Sequence, residues 1–380
     1  MSLQPTKILS LDTETTTHNK GAPYDPRNSL VCYSYASHLG GGARLWDDSV
    51  KDDLQVDISY SDLIVGFNFK FDTHWFTKVG ISLQGKKIWD VQIAEFIISN
   101  QTNRFPSLNE TCLRYGIPVK EDVVKTQYWD KGIDTKDIHW PILESYAAHD
   151  AVITLQCYHE QLKVMTPQQI KLCRLQCEDM QILCEMEANG LPFDEELCQV
   201  RAVELDDQIS KIKSTLAGVY PNVPINFGSN DHLSAFLYGG VVREDGKEHI
   251  GFFKSGIKAG QPKYKNIEIE HFLPRLYTPL KGSEMAKEGN FATDEGTLRK
   301  LKGKKGVIEK ILELSKLEKL NGTYYRGLVK LRKEQGWDTG VLHGQFNQTT
   351  AISGRLSSSK PNLQNFATEL QDIFISRYND

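Results

Sequence analysis

No stretch of roughly 18 uncharged apolar residues occurs in the 380-residue chain, so no segment is suited to cross a bilayer as a helix. The opening residues MSLQPTKILSLD lack the basic start, long apolar core and small-residue cleavage site of a secretory leader. The seven cysteines (Cys32, Cys112, Cys157, Cys173, Cys177, Cys184, Cys198) are odd in number and never form a C-x-x-C pair. That pattern argues against disulfides and structural zinc and for reduced thiols inside a cell. Cys173 and Cys177, one helical turn apart among apolar neighbours, read as small buried hydrophobes. A strong net charge is missing as well, since 45 basic side chains stand against 49 acidic ones, a formal −4, and polyanion binding is not advertised globally. No repeat at solenoid periods is present, which excludes a stacked-repeat architecture. What is left is a globular chain long enough for two or three domains.

Short apolar strands at Ile8–Leu11, Val31–Tyr35, Ala43–Trp46 and Leu63–Phe67 precede helical periodicity at about 70–79, 88–99, 107–115 and 142–163. Strands alternating with helices imply an α/β layer structure. After Thr166-Pro167 a long helix runs over 168–189, with Ile170, Cys173, Cys177, Met180, Leu183 and Met186 near one stripe and Asn189-Gly190 ending it. Residues 193–217 are again helical. Residues 238–292, rich in Gly, Lys and aromatics, read as an irregular β-hairpin excursion. Helices return at 294–301, 305–320 and 322–335, and the chain from Val341 is extended with loops. Basic residues gather between Arg299 and Lys333, Lys319 and Arg326 among them. They form either a phosphate-contacting surface or a solvated helix face interspersed with Glu309, Glu313, Glu318 and Glu334.

Four acids carry the chemistry. Asp12 and Glu14 lie two residues apart at the end of an apolar strand and leave it on the same face. Asp72 closes GFNFKFD, where a buried strand turns into a helix. Asp150 sits in LESYAAHDAVITL, with Tyr146 one turn before it on the same helical face. Each has an ordinary explanation taken singly: an acidic loop, a helix N-terminal carboxylate, a surface acid, a half-buried aromatic.

Taken together, in this order and these contexts, they resemble the DEDD exonuclease family in its tyrosine variant, the proofreading domain of family A DNA polymerases. The resemblance implies an RNase H-like domain over 1–165, a mixed sheet flanked by helices, that hydrolyses single-stranded 3′ ends with two ions of Mg²⁺ or Mn²⁺. All-carboxylate ligation suits such hard cations better than zinc. By the family, Asp12 would bridge both ions, Glu14 and Asp150 would complete the first, and Asp72 would hold the second through water. Tyr146 and Glu14 would position the attacking water, and Asn68, in NFKFD, would contact the primer strand. Ser145 stands where the histidine variant would have its His.

The segment VLHGQFNQTTAISGRLSSSKPNLQNF, with Thr349, Thr350, Gly354, Arg355, Leu356, Ser357, Ser358, Pro361, Asn362, Leu363, Gln364 and Asn365, is similar to a signature of family A DNA polymerases, the family of bacterial DNA polymerase I. Arg355, Ser357, Ser358, Asn362, Gln364 and Asn365 would then line primer-template DNA, donating to minor-groove acceptors that every base pair presents. INFGSNDHLSAFLYG, FATDEGTLRKL and KLEKLNGTYYRGLVKL resemble the family's mainly helical thumb, which places Lys319 and Arg326 on DNA. The organisation implied is exonuclease, then linker helix and thumb over 166–340 with an insertion at about 238–292, then the start of the palm over 341–380. The palm is incomplete and the fingers are absent, because D-Y-S-x-I-E-L-R-like, R-x-x-x-K-x-x-x-F-G-x-x-Y and H-D-E motifs do not occur. The reading favoured is a phage-type split polymerase whose palm and fingers come from a second chain, located in the cytoplasm of a host cell. A stand-alone exonuclease and a non-catalytic DNA-binding assembly subunit are the alternatives.

Overall fold

The computed structural model describes residues 7–119, 123–303 and 305–376. In chain order its elements begin with β1 (Ile8–Thr15), β2 (Leu30–Ser37), β3 (Gly40–Leu45), α1 (Asp48–Tyr60), β4 (Leu63–Gly66), α2 (Lys70–Lys78), β5 (Lys87–Asp90) and α3 (Val91–Ile98). Next come α4 (Leu108–Arg114), α5 (Val123–Gln127), α6 (Trp140–Val164), α7 (Pro167–Asn189), β6 (Leu191–Pro192), α8 (Glu195–Ala217) and α9 (Asn230–Tyr238). The last are β7 (Gly240–Phe252), β8 (Pro262–Leu273), α10 (Glu295–Leu298), α11 (Lys305–Lys319), α12 (Arg326–Gln335), β9 (Val341–Leu342), β10 (Gln345–Asn347) and β11 (Ser357–Ser359). The chain divides into two compact units, Met1–Glu195 with Leu328–Asp380, and Glu196–Gly327. Among the described residues no helix is long and apolar enough to cross a membrane.

In the first unit the sheet order is β3-β2-β1-β4-β5, antiparallel from β3 to β1 and parallel from β1 to β5. This is the α/β layering the strand and helix signals imply, with the mixed sheet that the resemblance implies. β1 is central and buried on both faces through its first half, where Leu9, Ser10 and Leu11 are all inside. Helix α6 packs along β1, β2 and β3. Its approach to β3 is close enough that a Cβ on Gly41 would lie 3.0 Å from Val152 Cγ2 and 2.9 Å from the Tyr35 carbonyl, so glycine is required there. Helices α2, α3 and α7 pack on one another and close the core at β1 and β5, with Phe69 and Phe76 fully buried and their rings 6.1 Å apart. Burial of each such side chain contributes roughly 2–3 kcal/mol.

Several elements differ from the sequence expectation for physical reasons. Lys87–Asp90 is a strand paired with β4, and the helix assigned to 88–99 begins only at Val91, because Asp90 caps it. A buried apolar strand running straight into an apolar helix leaves no break in hydropathy. On α7 the buried face is Cys173, Cys177, Met180, Leu183, Cys184 and Glu187, while Met186, placed on the stripe by sequence, is exposed. The helix expected over 294–301 is only the four-residue α10. That expected over 322–335 starts at Arg326, after a wide π-type turn over Leu320–Tyr325. All seven cysteines are buried thiols, none of them in a disulfide.

The first unit is completed by short pairings: β6 with β9, Phe193 with Phe374, and β10 with β11. Glu195 ties this region down, accepting Arg332 Nε at 2.8 Å, Arg332 Nη2 at 3.0 Å and the Gly340 N–H at 2.9 Å. In the second unit α9, β7 and β8 share a small core of Ala235, Val242 and Leu273, from which the β7–β8 ribbon extends. The hairpin expected in 238–292 is a two-stranded ribbon, β7 with β8, whose register shifts between His249 and Gly251, joined by a loop over 253–261 and followed by irregular chain over 274–294.

Candidate active site

Register alone puts two carboxylates together: Asp12 pairs with Ser34 and Glu14 with Cys32, so both leave the same face of β1 before its register shifts after Glu14. Between them Thr13 points the other way and performs a second task. Its N–H and hydroxyl both donate to Asp72 Oδ1, at 2.8 and 2.5 Å. The strand that offers Asp12 and Glu14 therefore also fixes Asp72, which is 2% exposed in the first turn of α2.

The turn before α2 is built for that placement. Gly66 ends β4 under the Phe69 ring, and a Cβ there would come within 2.0 Å of it. Asn68 adopts a left-handed conformation (φ 50°), a region Asn tolerates better than most residues, and stays exposed. The Phe69 N–H then donates to Asp90 Oδ2 at 2.8 Å, while Asp90 Oδ1 accepts from Gln92 N (2.7 Å) and Ile93 N (3.1 Å) as the cap of α3. One buried carboxylate thus clamps the Asn68–Phe69 turn to the start of the next helix.

Electrostatics bring in the remaining acid. Asp12 is held well above the ordinary carboxylate range, first by burial and then by the negative charges of Asp72, Glu14 and Asp150. Asp72 is pushed up to about 7, mainly by burial, against the lowering effect of the Thr13 hydrogen bonds. Glu14, Asp72 and Asp150 are therefore each close enough to Asp12 for their charge to be felt there, and a cation beside Asp12 would offset it. Among the described residues no three His, Cys, Asp or Glu side chains are placed so that together they could hold a metal ion. The donor set itself fits hard divalent cations, being all carboxylate oxygen.

Asp150 and Tyr146 stand on α6 and line a cleft of about 490 Å³ with Ser107, Asn109, Pro141 and Ser145. The Tyr146 ring sits edge-on to Trp129 with centroids 5.9 Å apart. Such a cleft is large enough for a nucleotide-sized ligand. Asn68 lines a separate, smaller cavity with Lys70, Asp90, Phe346 and Thr349.

The other sequence-derived residues are scattered. Arg355, Asn362, Gln364 and Asn365 are exposed, and Ser357 is half-buried in β11. Ser358 is 7% exposed: its hydroxyl accepts from Leu363 N at 3.1 Å and donates to the Pro361 carbonyl at 3.3 Å. Asn362 Oδ1 accepts from Gln364 N at 3.1 Å. In the second unit Lys319 is exposed on the last turn of α11, and Arg326 is ion-paired with Asp206.

Sequence reasoning missed Thr13, Asp90 and a buried network around Glu187. Glu187, 4% exposed, receives Lys70 Nζ (2.6 Å), His74 Nε2 (2.7 Å) and Phe346 N (2.6 Å). Lys70 also donates to the Phe346 carbonyl, and His74 Nδ1 meets the Tyr24 hydroxyl at 2.6 Å. Burial raises the Glu187 carboxyl, but the His74 and Lys70 contacts outweigh it and hold it below the ordinary value. An acid on an otherwise apolar helical stripe was the available signal.

Comparison with known proteins places these features. Residues 1–166 match the family model for a 3'-5' exonuclease, and residues 269–377 that for DNA polymerase family A. The chain is 30% identical over 184 residues to the thermostable DNA polymerase I of Thermus filiformis, covering 48% of this chain and 17% of that one. It is 28% identical over 308 residues to DNA polymerase I of Synechocystis, covering 78% and 26%. The chain thus spans less than a third of these relatives' length. A solved structure, the POL domain of Pol1 from M. smegmatis in complex with DNA primer-template and dNTP, superposes with TM-score 0.69 at 19% identity over 98% of this chain and 56% of that one, so the fold is shared. On that fold the chain thus joins a region that matches a 3'-5' exonuclease to one that matches DNA polymerase family A, and it is similar to the exonuclease and thumb part of a family A DNA polymerase.

Proposed function

We propose that the chain removes nucleotides from single-stranded DNA 3′ ends, with residues 1–165 as the hydrolytic domain and Asp12, Glu14, Asp72 and Asp150 as its metal-holding residues. The observation that carries this reading is that one strand presents Asp12 and Glu14 on the same face and, through Thr13, also fixes buried Asp72, with Glu14, Asp72 and Asp150 all acting to raise the Asp12 carboxyl. Two ions of Mg²⁺ or Mn²⁺, when bound, supply Lewis acidity toward the scissile phosphate and the attacking water. The chain's own residues do the rest. Asn68 contacts the terminal strand, Tyr146 and Glu14 orient the water, and the cleft beside α6 receives the departing nucleotide. Thr13 keeps Asp72 aimed without itself touching the substrate.

The same reading gives Arg355, Ser357, Asn362, Gln364 and Asn365, with Lys319 and Arg326, the task of gripping primer-template DNA. Ser358 would act by shaping the loop that displays them. Polymerisation then belongs to palm and fingers sequence outside these 380 residues, and a second chain is the source we favour. Co-expression of such a chain, followed by co-purification and primer extension with dNTPs, tests that point; failure of the two to associate refutes it. For the nuclease, Asp12→Ala, Asp72→Ala and Asp150→Ala should each cut single-stranded hydrolysis in Mg²⁺ by roughly 10³-fold or more, on the scale of lost charge stabilisation. Three variants as active as the parent would exclude this site.

A further inference from the structure

The β7–β8 ribbon has a charge distribution that neither its fold nor the exonuclease reading requires. Toward its base Arg243, Lys247 and His271 stand among five acids, Glu244, Asp245, Glu248, Glu268 and Glu270, with Arg243 paired to Glu270 at 3.0 Å and His271 to Glu244 at 3.2 Å. Between Glu248 and Glu268 the chain has no acid at all and carries Lys254, Lys258, Lys263 and Lys265, each exposed. Both strands of a two-stranded ribbon are edges, and mixed charges would suffice to guard them. Segregation of acid to the base and base to the tip is a different feature, and it is suited to a polyanion.

Aromatic rings are interleaved with those lysines. His249 lies 5.1 Å from Phe252 and 5.5 Å from Tyr264, centroid to centroid, and Phe252 and Tyr264 are 59% and 53% exposed. The ammonium groups of Lys258 and Lys263 stand 6.0 and 5.9 Å from the Phe253 ring centroid. Among the described residues the ribbon's buried side chains lie at its foot, where Val242 (0% exposed) and Leu273 (7%) pack with Ala235. The aromatics at the tip therefore stabilise no core.

We propose that the ribbon tip is a sequence-independent binding surface for single-stranded DNA, its lysines tracking phosphates and Phe252 and Tyr264 stacking on bases. This deepens the proposed function and rests on its choice of DNA as substrate. Cations alternating with exposed rings are the combination that grips a single strand, whereas an acidic peptide would have no use for the rings.

The test is fluorescence anisotropy of a labelled oligo-dT with the full chain in EDTA over a salt series. Replacing all four lysines by Gln should weaken binding roughly tenfold or more and lower the log–log salt slope by about 3, near 0.7 for each phosphate no longer neutralised. Replacing all four by Arg should preserve both. Phe252→Ala with Tyr264→Ala should weaken binding at least fivefold with the slope kept, as expected for lost stacking. Equal binding by parent and Gln variant overturns the ribbon proposal and leaves the nuclease reading standing. Loss of binding to poly-glutamate but not to DNA overturns it in favour of an acidic protein partner. No DNA binding by the parent at any salt refutes the DNA reading itself, and the ribbon with it.

Discussion

Glu187→Ala is the substitution that most sharply separates a positioning network from incidental packing. The side chain is 4% exposed and accepts three charged or polar donors at 2.6–2.7 Å, two of them, Lys70 and His74, from the helix that carries Asp72. Its removal strands Lys70, whose side chain is 19% exposed, without its carboxylate and leaves the Phe346 N–H unpaired. Breaking a buried pair from one side costs about 3–5 kcal/mol. For a folding unit of this size that lowers Tm by roughly 6–20 °C, at about 2–4 °C per kcal/mol. Displacement of the first turn of α2 would also misplace Asp72, with a loss of roughly 10- to 100-fold in exonuclease turnover. Because the folded carboxyl is held below its ordinary value of 4.5, its stabilisation is present above that pH and is lost as pH falls through the folded value. The stability gap between parent and Glu187→Ala should therefore be widest near neutral pH and narrow below 4.5. Thermal unfolding followed by circular dichroism at a series of pH values gives both numbers. A Tm within 2 °C of the parent at pH 7 would refute the reasoning, about 1 kcal/mol being too little for a buried pair.

Three further substitutions probe the neighbouring geometry. Thr13→Val keeps the shape but removes the hydroxyl donor to Asp72, so it should cost about 1–2 kcal/mol of stability and lower exonuclease kcat more than it raises KM; unchanged kcat would show that Asp72 needs no such support. Gly66→Ala forces a Cβ to within 2.0 Å of the Phe69 ring and should destabilise by about 2–4 kcal/mol in a denaturant titration, whereas a neutral outcome would mean the turn relaxes freely. Tyr146→Phe should leave the fold unaltered and reduce kcat roughly 100-fold if its hydroxyl orients the water; full activity would remove that role.

Much of the fold was legible because hydropathy switches period at the element boundaries. The central strand, the α2 start and the long α6 all announce themselves as apolar runs followed by acids or turn residues. The carboxylates were legible only as a set: singly each has an ordinary explanation, and it is their order and their strand, strand-to-helix and helix contexts, with Tyr146 one turn before Asp150, that carry the resemblance. What could not be read was the support around them. Thr13 is an ordinary β residue until Asp72 is seen beside it, 59 positions away. Asp90 caps a helix whose first turn is continuous in hydropathy with the strand before it, so the boundary vanished. Glu187 pairs with residues more than 100 positions distant, and no local period encodes such a pairing. Ser358 reads as a DNA-facing residue from its polar neighbours, yet its hydroxyl is turned inward to hold the Pro361–Leu363 loop.

The most direct test of the central claim is the product pattern from a 5′-labelled single-stranded oligonucleotide incubated with the chain in Mg²⁺ and, in parallel, in EDTA. The account predicts a ladder shortening one nucleotide at a time from the 3′ end in Mg²⁺, none in EDTA, and none from Asp12→Ala under either condition. Internal cuts, release from the 5′ end, or equal degradation by Asp12→Ala would contradict it.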